Sequence, residues 1–94
     1  MRHFIIVKWK QPDEMRGKLD GIEAIFKKTL EISGIHKVSL HPSCSDRANR
    51  YDLMIEIEMD AEALPAYDAS EPHHFWKDTY GEAIQSKAIF DCES

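Results

Sequence analysis

Between His3 and Lys10 the apolar side chains come almost without interruption: Phe4, Ile5, Ile6 and Val7, then Trp9. A run of β-branched and aromatic residues with no polar alternation predicts a strand covered on both faces, and so one in the middle of a sheet. After a break at Gln11, Pro12 and Asp13 the period changes. Met15, Leu19, Ile22, Phe26 and Leu30 recur every three or four positions, while Lys18, Glu23, Lys27 and Lys28 fall largely elsewhere. That spacing predicts a long amphipathic helix, favoured at its start by the negative charges of Asp13 and Glu14 and stopped by Gly34, which suits a left-handed cap.

A period of two then returns. From Ile35 to His41, His36, Val38 and Leu40 alternate with Lys37, Ser39 and His41, which predicts a half-buried strand. The polar run from Pro42 to Arg50 has the composition of a surface loop. Tyr51, Leu53, Ile55, Ile57 and Met59 then alternate with Asp52, Met54, Glu56 and Glu58, the cleanest strand signal in the chain. Asp60 is a natural N-cap for a helix over Ala61 to Ala69, which Pro65 shifts or bends. Ser70 and Pro72 open a second helical piece that weakens at Gly81, and Ser86 to Cys92 closes as a final strand.

Strand, long helix, strand, strand, broken helix, strand is the order of a single α+β domain over residues 1–94, ferredoxin-like βαββαβ with a four-stranded antiparallel sheet. Helices take one sheet face. The other would be left open in a monomer, and the two-sided first strand predicts that it is covered by a second copy, two sheets pairing as a dimeric α/β barrel.

Composition narrows the partners. Ninety-four residues with 43% hydrophobic and 31% charged content make one core, and a domain of this size gains from self-association. The net charge is −5 and the twelve Lys and Arg are scattered, which argues against a nucleic-acid partner. Lys8 ends the first apolar run far short of a signal-peptide core or a membrane span, so no membrane partner is expected. Two cysteines, Cys44 and Cys92, are too few for a disulfide framework, and the expected setting is cytoplasmic.

The densest chemistry lies in SEPHHFWKDTY, Ser70 to Tyr80. His74 and Asp78 are one helical turn apart, so the carboxylate can hold the imidazole in one tautomer, as in a general base or in an ordinary surface pair. His74 and Asp78 are thus candidates for a general base and its orienting partner. Trp76, on one helical face with Tyr80 and Ile84, is a candidate ligand wall or a core residue, and His3 is a candidate ligand contact. His73 and His74 point about 100° apart on a helix and do not share an ion easily. His41 with Cys44 supplies half of a zinc set, so neither a metal nor a cofactor is expected.

Several stretches taken together resemble the stress-responsive A/B barrel (Dabb) family: RHFIIVKWK, ISGI, YDLMIEIEMD, EALPAY, EPHHFW and AIFDCE, in that order and spacing. The resemblance implies a homodimeric barrel with a cleft between sheet and helices that binds a small organic molecule. It also implies two enzymatic alternatives. One is a polyketide cyclase-like activity with His74 as base, since in the family's plant olivetolic acid cyclase a histidine follows the proline of the broken helix and a tyrosine precedes it. His74 and Tyr67 stand at those places and His3 matches a histidine of the first strand, whereas Leu53 and Ile25 replace a histidine and a tyrosine. The other alternative is cofactor-independent monooxygenase-like chemistry.

Overall fold

In a computed structural model describing residues 1–93, the chain runs β1 (Arg2–Trp9), α1 (Pro12–Met15), α2 (Leu19–Lys27), β2 (Ile35–Pro42), β3 (Leu53–Met59), α3 (Leu64–Asp68), α4 (Glu71–Tyr80) and β4 (Ile84–Cys92). The first amphipathic stretch is divided, because a 3₁₀ turn at Arg16–Lys18 separates α1 from α2. Gly17 sits in that turn, where its poor helix propensity lets the chain tighten. Gly34 ends the segment with φ 91°, the left-handed conformation that its position predicts. A Cβ there would meet that of Ala63 at 3.0 Å, so both the backbone and the space require glycine.

The sheet order is β2-β3-β1-β4, all antiparallel, with β1 in the interior as its unbroken apolar run predicts. Register decides what faces the helices: His3 pairs with Ile57 on one side and Asp91 on the other, and Ile5 with Ile55 and Ile89. Side chains alternate across a pleated sheet. His3, Ile5, Val7 and Trp9 therefore share a face with Ile55, Ile57 and Met59, buried under Ile22 and Phe26 of α2, Tyr67 of α3 and Trp76 of α4. The Trp76 ring lies 5.1 Å from that of Phe26 and 6.2 Å from that of Trp9, both edge-on, and anchors α4 to the sheet. β3 begins at Leu53 rather than Tyr51, because the Asp52 carboxylate accepts from the Trp9 N–H at 2.7 Å.

The expected dimeric α/β barrel is corrected here: the sheet is open. Among the described residues β2 and β4 each bond to one neighbour only, and four strands cannot curl far enough to close, which takes about eight in a small barrel. The apolar character of the second face of β1 has a cause within the chain. The Arg2 guanidinium lies 5.0 Å above the Phe4 ring, and Phe90 packs against it at 6.1 Å, so that Phe4 is 7% exposed while Phe90 is 57% exposed. No helix of the described residues is long and apolar enough to cross a membrane.

Candidate functional site

The helices do not reach across the whole sheet. Lys87, Ile89 and Asp91 of the edge strand β4 point to the helical side, yet Ile89 remains 52% exposed. Between that strand and the helices α3 and α4 lies a cleft of about 310 Å³, with Ile5, Leu64, Trp76 and Ile89 as apolar walls. Its size and character suit a small organic molecule.

The polar groups in it are placed by local sequence. Ser70 caps α4: its Oγ accepts from the His73 N–H at 3.3 Å and donates to the Tyr67 carbonyl at 2.7 Å. One side chain thus locks the end of α3 to the start of α4 and sets Tyr67 and His73 side by side, their ring centroids 4.8 Å apart. His73 Nδ1 donates to the Asp68 carbonyl at 2.8 Å, which fixes the tautomer, since a carbonyl oxygen only accepts. Burial lowers the His73 pKa below its usual value, against the opposing pull of the Asp68 carbonyl, so the ring is held neutral.

Tyr67 is 1% exposed, and its hydroxyl is buried with no hydrogen-bond partner among the described residues. Such a group costs free energy unless something fills the gap. Burial and then the nearby Asp68 carboxylate push its pKa well up, so it stays a phenol, able to donate. Across the cleft the His3 ring meets Tyr67 edge-on at 5.5 Å, and its Nδ1 donates to the Asp91 carboxylate at 2.5 Å.

Of the residues singled out from sequence, His3, Tyr67 and Trp76 line this cleft. His74 and Asp78 lie outside it, both exposed and with no hydrogen bond between them among the described residues. The reason is helical phase: positions 73, 76 and 77 share the inner face of α4, and His74 is turned about 100° away. Asp91 and His73 are among the site residues that sequence reasoning missed. Asp91 becomes visible only once β4 is paired with β1, and His73 only once the α3–α4 junction fixes the phase of α4.

A slightly larger depression of about 340 Å³ lies between the β1–α1 turn and the β2–β3 loop. Its rim mixes Lys8, Arg16 and Arg47 with Asp13, Asp46 and Asp52, and Arg16 is already paired to Asp13 at 3.0 Å. It holds no buried polar atom left without a partner among the described residues, which sets it apart from the β4 cleft. Among the described residues no cluster of three His, Cys, Asp or Glu side chains is arranged to hold a metal.

No family model matches the chain, and no curated protein matches it either. Solved structures do. A dimeric protein of unknown function and ferredoxin-like fold from Bacteroides fragilis superposes with a TM-score of 0.80 over 99% of this chain and 94% of its own, at 18% identity. A dimeric ferredoxin-like protein of unknown function from Jannaschia gives 0.76 over 99% and 97%, at 17% identity. A Dabb family protein with a ferredoxin-like fold from Mesorhizobium loti gives 0.64 over 99% and 94%, at 15% identity. At these identities the likeness is one of fold.

The resemblance drawn from sequence is corrected accordingly. The chain has a ferredoxin-like fold related to that of a Dabb protein, but its sheet does not close into the barrel for which the family is named. The function attached to a barrel protein falls with it, together with the cyclase-like and monooxygenase-like alternatives. The cleft remains.

Proposed function

We infer that this protein binds a small organic molecule in the cleft between α3, α4 and the edge strand β4. The observation that carries this reading is Tyr67, whose side chain lines the cleft and whose hydroxyl is a buried donor without a partner among the described residues. A buried hydroxyl left unpaired is unfavourable in the empty protein and becomes favourable when a ligand oxygen or nitrogen accepts from it. His3 and His73 add two further polar contacts on either side of Tyr67, and Trp76 supplies an aromatic wall.

The protein acts as a homodimer in this reading. Phe90 and Phe4 lie with Ile6, Met54 and Ala88 on the sheet face away from the helices, where Phe90 is 57% exposed. An apolar centre of this kind on an otherwise charged face fits a second copy of the chain. Dimeric relatives of the same fold, from Bacteroides fragilis and Jannaschia, support it.

The cleft is tested by a thermal-shift screen of small ring compounds against the wild-type protein and Tyr67→Phe. The expected outcome is a compound that raises the wild-type melting temperature and has little effect on the variant. The unliganded variant should match the wild type in stability, or exceed it by up to about 1 kcal/mol, because the lost hydroxyl made no hydrogen bond among the described residues. Equal shifts in both proteins would place the ligand elsewhere.

A further inference from the structure

On the sheet face away from the helices, beside the apolar centre of Phe4, Ile6, Met54, Ala88 and Phe90, a charged cluster crosses three strands. The register sets Glu56 of β3 next to Phe4 of β1, and His41 of β2 next to Met54 of β3. Glu56 Oε2 accepts from both Nε and Nη2 of Arg2 at 2.9 Å, and Glu56 Oε1 accepts from His41 Nε2 at 3.1 Å. With its carboxylate filled from both sides, the Glu56 side chain is 13% exposed, while those of Arg2 and His41 remain 41% and 47% exposed. Burial by itself would raise the Glu56 pKa, but the bonds from Arg2 and His41 outweigh it and hold the carboxyl below its usual range, so Glu56 is ionised.

The charges of Arg2 and Glu56 cancel. A neutral His41 ring keeps its bond to Glu56 as the Nε2–H tautomer and adds no charge, whereas a proton at Nδ1, which has no partner among the described residues, leaves the cluster with one positive charge in excess. The surrounding groups do not absorb that charge. Lys37 and Glu58 are register partners of opposite sign, Lys8 Nζ donates to the Arg50 carbonyl, and the Asp52 carboxylate accepts the Trp9 N–H. His36 is bound to Asp60 at 3.0 Å, and Cys92 of β4 stands across from Arg2. In contact with water the excess charge costs little. Covered by a second sheet it is desolvated, and a two-fold axis places it there twice.

We propose that His41 is a proton site that governs self-association: the dimer holds its ring neutral, and acidification drives the two copies apart. This rests on the sheet face being the dimer contact. On dissociation the Nδ1 lone pair of each His41 takes a proton from solvent and the imidazole becomes an imidazolium, while Arg2 stays paired with Glu56. Imidazole is the one side chain of this set whose charge ordinarily changes between about pH 5 and 8, so the response falls in that window.

Sedimentation velocity on a dilution series at about pH 6 and about pH 8 reads the dimer dissociation constant, with far-UV circular dichroism to keep dissociation apart from unfolding. The wild type should dissociate about tenfold more readily at the lower pH, since two imidazoles titrate with each dimer. His41→Gln can still donate to Glu56 but cannot take a proton, and its dissociation constant should be the same at both pH values. Dilution calorimetry in buffers of different ionisation enthalpy should show proton uptake as the wild-type dimer dissociates, and none in the variant. A wild-type constant that does not change, or that falls at the lower pH, would overturn the role of His41 and leave the dimer standing. An acid response that His41→Gln retains would do the same. A wild-type monomer at both pH values would overturn the dimer and the proton site together.

Discussion

A tyrosine hydroxyl buried without a partner among the described residues and an imidazole held neutral by burial lie on adjoining rings, and each has a measurable consequence. His73 carries the pH dependence. Because its folded pKa lies below the usual 6.5, the folded chain binds fewer protons than the unfolded chain in the window just under that value. Stability therefore falls as the pH drops from about 6.5 toward the folded pKa and is fully present above 6.5. Urea unfolding of wild type and His73→Gln across that window should show a flatter profile in the variant. Equal slopes would mean that the ring is not desolvated. The same residues show the limit of one-dimensional reading. Trp76 was legible as a candidate from type and spacing, and Tyr67 through the family resemblance, but the choice between His73 and His74 turned on a helical phase that no local pattern contains.

At the scale of elements, the period of two in β3 and the glycine after α2 were legible directly, because alternation and a left-handed stop are properties of the residues themselves. The capped start of α4 was legible for the same reason: Ser70 and Pro72 are suited to a first turn whatever lies around them. The partnership of His3 with Asp91 was not. It joins residues 88 positions apart and exists only because β4 pairs beside β1 in one register, in which a slip by one would turn Asp91 to the other face. Ser70 is the element-scale lever on the site. Ser70→Ala removes the cap of α4 and the bond to the Tyr67 carbonyl, and should cost about 1 kcal/mol in chemical denaturation. It should also weaken any ligand-induced melting shift, since Tyr67 and His73 lose the clasp between them. Full retention of that shift would show that the α3–α4 junction is held by other contacts.

For the whole molecule, the four-stranded ferredoxin-like plan followed from element order, whereas closure did not, since it depends on strand edges and on a second chain rather than on any one sequence pattern. The unbroken apolar run of β1 was read as a strand that needs an external cover. Part of that cover comes from within, through Arg2 over Phe4, with Arg2 held by Glu56 at 2.9 Å. Phe90 is what is left exposed. Light scattering at micromolar concentration should find a dimer in the wild type and a monomer in Phe90→Glu, whose charge would be buried without a partner at the interface. A wild-type monomer, or a dimer indifferent to that change, would remove the sheet face as the contact. The central claim is that ligand binds over β4 beneath α3 and α4, and heteronuclear NMR during titration with a compound that raises the melting temperature tests it most directly. The expected result is shift changes concentrated at His3, Tyr67, His73, Trp76 and Ile89. Changes concentrated instead at Lys8, Arg16 and Arg47, around the larger charged depression, would contradict it.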